Sequence, residues 1–83
     1  MDNKDRFIQL LLERRRAEVA WDKAKKARNQ ALLLVRGAEE AAADEETTKE
    51  WTAFEVADRV EWEARVALVA AETAVSRAEE AGK

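Results

Sequence analysis

The chain has 83 residues, 15 Lys+Arg against 18 Asp+Glu, a net charge of -3, and no His, Cys, Pro or Tyr. That length allows one small domain with a shallow core. Without Cys there is neither a disulfide framework nor thiolate chemistry, and without His and Cys the usual zinc ligands, haem ligands and general bases are missing.

The first segment, Met1 to Phe7, mixes acids and bases, and its apolar continuation Ile8 to Leu12 is closed off by Glu13 to Arg16. It is too short for the core of a secretion signal. The later apolar runs, Ala31 to Val35 and Val66 to Ala71, fall well below the roughly 20 residues of a bilayer span. The expectation is a cytoplasmic protein with no membrane contact.

Helix formers then dominate. Ala17, Ala20, Ala24, Ala27, Ala31, Leu34, Ala38 and Ala41 alternate spacings of three and four, a heptad seam that passes Gly37 without a change of phase. The spacing predicts one helix over about 3–44, bent or unbroken at Gly37. A break near Gly37 and a three-helix arrangement is the alternative. Around the acidic run Asp44, Glu45, Glu46 a turn is expected at about 45–47. Thr47 and Glu50 have capping-box spacing, which would start a second helix near Thr48. A second seam follows in Ala53, Ala57, Val60, Ala64, Ala67, Ala71, Ala74, Ala78 and Ala81, so helix two is expected over about 48–80, with Gly82 as its stop.

Two alanine seams joined by a short turn predict an all-α fold, an antiparallel two-helix hairpin built as an alanine-rich coiled coil over residues 1–83. Phe7, Leu10, Leu11, Trp21, Leu32 and Val35 would flank the first seam; Phe54, Leu68 and Val75 would flank the second. Residues 1–37 carry ten bases and five acids, residues 38–83 five bases and thirteen acids. A basic helix beside an acidic one selects the antiparallel orientation. Acid-first pairs are expected at Asp22–Lys26, Glu55–Arg59 and Glu61–Arg65, with Glu79 and Glu80 near Arg14–Arg16.

On a helical wheel Trp51, Trp62, Val66 and Val69 fall opposite the second alanine seam, where a single hairpin leaves them in water. Such a stripe reads as an interface for a protein partner or a second copy. Phe7, Ile8, Leu11 and Leu12 form a second candidate surface, with Phe7 and Ile8 overhanging the end of helix two. A homodimer of hairpins forming a four-helix bundle would cover both.

The function expected from these residues is a non-enzymatic protein–protein interaction module: structural, adaptor or assembly. The alternative is a small inhibitor that docks the acids Glu39, Glu40, Asp44, Glu45, Glu46 and Glu50 on a basic, nucleic-acid-binding surface of another protein. Nucleic-acid binding by Arg14–Arg16 and Lys23–Arg28 is disfavoured, because consecutive helical residues point in different directions and the total charge is negative. No residue pattern marks a catalytic, cofactor or metal site. The hydroxyls Thr47, Thr48, Thr52, Thr73 and Ser76 have no His beside them to act as base.

Overall fold

The computed structural model describes residues 3–41 and 47–82 and contains two helices, α1 (Asn3–Ala41) and α2 (Thr48–Ala81). The expected end of helix one at about residue 44, most of the expected turn, and the acids Asp44, Glu45 and Glu46 lie outside the described residues. The helices pack on each other along their length. The result is a rod of 62 × 16 × 14 Å with a radius of gyration of 18.7 Å, against about 12 Å for a compact chain of this length. No described helix is long and apolar enough to cross a membrane.

α1 runs through Gly37 without interruption. With no Pro in the chain, and with the packing surface continuing to Val35 and Ala38 on either side, one glycine is tolerated at about 1 kcal/mol relative to Ala. The break that would make a third helix is not there. The N-cap of α2 is Thr47, at φ -106° and ψ 24°, and its side chain makes no cap bond. The expected capping box therefore does not form; a backbone bond from Trp51 N–H to the Thr47 carbonyl (3.1 Å) opens the helix instead. At the other end Gly82 stays right-handed (φ -81°), its N–H bonded to the Ala78 carbonyl at 3.1 Å. The stop expected there needs no left-handed residue.

The two seams differ in phase from the alanine stripes. Ala17, Ala24, Ala31 and Ala38 do face α2, and Ala57, Ala64, Ala71 and Ala78 face α1. Their partner stripes are Phe7, Trp21 and Val35 in α1, and Phe54, Leu68 and Val75 in α2. Ala20, Ala27, Leu34 and Ala41, with Ala53, Val60, Ala67 and Ala81, are exposed. Each helix is thus rolled toward its larger residues. Burying a Val, Leu or Phe side chain gains about 1.5–3 kcal/mol, whereas an Ala methyl gains about 0.8. The roll also carries Arg14 and Arg28 to the seam, where their aliphatic stems lie along the apolar surface and their charged heads reach its edge.

Register follows from three bonds between the helices. Trp21 Nε1–H donates to Glu61 Oε1 at 3.0 Å, Arg28 Nε–H to Asp58 Oδ1 at 2.6 Å, and Trp51 Nε1–H to Glu39 Oε1 at 2.9 Å. An antiparallel register carrying all three sets Ala17 level with Leu68, Trp21 with Ala64, Ala31 with Phe54 and Phe7 with Ala78. Large faces small at these levels, which lets the helices approach closely; near the open pole Leu10 and Val75 meet as two large residues. The core is shallow: Ala24, Val35, Leu68 and Val75 are the fully buried apolar residues among those described, with Val35 the deepest at 1 % exposure. Phe7 does not overhang. It lines an open groove of about 860 Å³ at the end of the rod with Lys4, Arg6, Leu10 and, across from them, Arg77, Ala78, Glu79 and Gly82. Glu79 therefore sits by Lys4 and Arg6, not by the arginine triplet. Arg14 and Arg15 turn instead to Glu18 of their own helix, at 3.7 and 3.2 Å.

Candidate interaction surface

The antiparallel pairing gives the rod two unlike sides. One side carries the polar groups beside the seam: Lys25, Arg28, Asn29, Asp58, Glu61 and Arg65 line a shallow groove. Its charges are engaged locally. Arg28 holds Asp58 and lies 5.2 Å over the Phe54 ring, Lys25 reaches Asp22 at 3.3 Å and the Trp21 ring at 3.9 Å, and Glu61 takes the Trp21 indole proton. Two expected intrahelical pairings give way here: Asp22 is engaged by Lys25 in place of Lys26, and Arg65 lies 4.8 Å over the Trp62 ring while Glu61 turns to α1. The indole outcompetes the helical neighbour for Glu61 because that carboxylate sits on the seam, facing α1. Among the described residues, no group of acids is arranged to hold a metal ion.

Outward from that groove, along the edge of α2, lie Trp62, Val66 and Val69. Spacings of four and three put them on one strip, and all three are exposed, Trp62 to 56 %. Thr73 continues the strip. Its hydroxyl donates to the Val69 carbonyl at 2.8 Å, which satisfies its polar group locally. Trp51 is set apart from this strip. It lies beside the seam, 41 % exposed, with its indole N–H on Glu39 and its ring edge-on to Phe54 (centroids 5.9 Å apart, planes at 88°). The strip is therefore Trp62, Val66 and Val69, while Trp51 is tied to α1.

On α1, Phe7 and Leu11 are half-buried, whereas Ile8 and Leu12 are exposed. Leu12 begins a row along the back of α1 that continues through Val19 and Leu33, both exposed. Sequence reasoning misses that continuation, although the seven-residue spacing marks it; Lys26 interrupts it and hides the pattern.

The other side of the rod departs furthest from expectation. Leu34 is 67 % exposed and Val60 49 %, and they stand among the alanines rolled out of the two seams. In antiparallel helices the rows on one flank of both seams come to the same side, so Ala20, Ala27, Leu34 and Ala41 share a face with Ala53, Val60, Ala67, Ala74 and Ala81. Val56 and Ala70, both exposed, extend it outward. The alanine periodicity is the signal for this surface, but on its own it points to the interior. Of the acidic cluster, Glu39 accepts the Trp51 indole, and Asp44, Glu45 and Glu46 are outside the described residues.

Compared with protein-family models, with curated proteins and with solved structures, the chain matches none.

Proposed function

We propose that the chain is a non-enzymatic protein-interaction module that self-associates and offers the Trp62–Val66–Val69 edge of α2 as a binding face, with Trp62 as its anchor. One observation supports this above the others: large apolar side chains stand in water in a contiguous row, with Trp62 56 %, Val66 48 % and Val69 57 % exposed along one strip. The total surface, polar and apolar together, is 6720 Å², against about 5,000 Å² for a compact monomer of 9.4 kDa. Isolated exposed apolar side chains are ordinary, but contiguous strips mark interaction sites. Trp is among the residues most enriched as interface anchors, because its large rigid ring buries much area at small conformational cost. The absence of His and Cys from the sequence supports the non-enzymatic side of the reading.

Sedimentation equilibrium tests self-association. A mass of two or more chains is expected, and a single-chain mass at the highest soluble concentrations would overturn it. A photo-crosslinking side chain at position 62 tests the edge. It is expected to join the chain to another polypeptide in extracts of the source cells, while the same group at exposed Glu40 does not. Equal adducts from both positions, or none from position 62, would sink the edge as a binding face.

A further inference from the structure

We infer that a second copy of this chain stacks on the alanine-lined side of the hairpin, related by a two-fold axis along the rod, so that α1 of each copy lies antiparallel on α2 of the other. This rests on the self-association proposed above and names the surface and the arrangement that carry it. The Trp62 edge, on the opposite flank of α2, stays outside this contact.

The first argument is the character of the face. In a chain that is 40% charged, no charge interrupts the row Ala20, Ala27, Leu34, Ala41 of α1 or the row Ala53, Val60, Ala67, Ala74, Ala81 of α2, although toward the open pole the α1 row continues as Glu13 and Arg6. The hairpin does not require this, because all but half-buried Ala74 are exposed within it. The face is also not a bare stripe of small residues. Leu34, Val56 and Val60 stand exposed among these alanines, large residues beside small ones. A self-complementary patch of this kind is what a two-fold interface uses.

The second argument is area. The hairpin exposes about 1,700 Å² more than a compact monomer of its mass, and a stable interface takes roughly 600–1,000 Å² from each partner. Burying one face on each copy returns part of that excess.

The third argument is charge, and it selects the axis. The rim of this face on α1 carries Arg16 and Lys23; the rim on α2 carries Glu63 at its middle, with Lys49 and Arg77 toward its two ends. An axis across the rod would lay α1 on α1 and set those bases against each other. The axis along the rod lays basic α1 on acidic α2, sets Lys23 level with Glu63 of the second copy, and sets Leu34 level with Ala53 and Ala27 level with Val60. Neighbouring helices are antiparallel about either axis, so their dipoles are indifferent and the rim charges decide.

Sedimentation equilibrium on the full chain, with circular dichroism as the check on folding, distinguishes the possibilities. Wild type and Trp62→Glu are expected to be two chains. Leu34→Glu and Val60→Glu are expected to raise the dissociation constant at least about a hundredfold while keeping the helical signal, because both side chains are exposed in the hairpin. Should a glutamate variant lose helicity, Leu34→Ser and Ala27→Gln take its place. Lys23→Glu is expected to weaken the pair and Lys23→Glu with Glu63→Lys to restore it, which tests the axis. A folded Leu34→Glu that remains two chains overturns the inference, as does a dimer broken by Trp62→Glu alone; in both cases self-association stands. A single-chain wild type overturns self-association itself.

Discussion

Arg28 spans both kinds of interaction that join the helices. Its Nε–H bonds Asp58 and its guanidinium covers Phe54, so its truncation removes an ion pair and an aromatic contact together. Both charged groups are substantially solvent-exposed, which keeps the electrostatic share small. Arg28→Ala is expected to cost about 1 kcal/mol in chemical denaturation, with a coupling to Asp58→Ala below about 1 kcal/mol that shrinks further in high salt. Leu68→Ala is expected to cost more, about 2–3 kcal/mol, since the residue is buried opposite Ala17 and a thin rod has little around the gap to collapse into it. Thr47→Ala should change stability by less than about 0.5 kcal/mol, because the hydroxyl makes no cap bond. A loss of about 1 kcal/mol or more at Thr47 would mean that the capping box forms in solution after all.

Along the elements, Gly37 is the one place where α1 gives away stability without a visible return. A methyl group built there meets nothing within 4 Å, and the position is helical and exposed. Gly37→Ala is therefore expected to stabilise the hairpin by about 0.5–1 kcal/mol, read as a rise in the thermal midpoint. No change, or a fall, would indicate that a bend at this residue is needed. The helices themselves are legible in the sequence, because seven-residue periodicity and the absence of Pro leave few alternatives over such lengths. The phase of the seam is not. Two stripes of equal regularity run side by side on each helix, one of alanines and one containing Phe7, Trp21, Val35, Phe54, Leu68 and Val75. Regularity alone favours the alanines, and only the area buried per side chain decides for the others. Arg14, Arg28 and Glu61 disguise the second stripe as polar, although an arginine stem and a carboxylate held by an indole sit comfortably at a seam.

For the molecule as a whole, the phase of the seam decides which surfaces face water. Ile8, Leu12, Trp62, Val66 and Val69 belong in water by the sequence pattern and are exposed in the hairpin. Phe7 and Leu11 are drawn partly inward by α2, and Trp51 is held beside the seam by Glu39 and Phe54. Leu34, Val56 and Val60 escape a reading of the sequence because an alanine stripe looks like the inside of a rod that is too narrow to have two insides. Screening the salt-sensitive contacts should leave the hairpin's helicity intact while any assembly through the alanine-lined face persists, since that face is apolar. A dimer that falls apart in high salt would point instead to the charged rims as the main source of affinity.

The groove shared by Phe7, Leu10, Arg77 and Ala78 shows that both helices bring their outer ends to one pole of the rod, with Ala41 and Thr48 toward the far pole. A tether attached near Lys4 and another near Glu79 would load the molecule like a zipper. The layers would separate singly, starting from that pole, and the tug would meet the Trp21–Glu61 and Arg28–Asp58 clasps only after the apolar levels outside them had opened. Single-molecule pulling in this geometry should record low, stepwise forces. The same chain gripped at opposite poles, through Lys4 and Thr48, would have to slide all its levels at once and resist far harder.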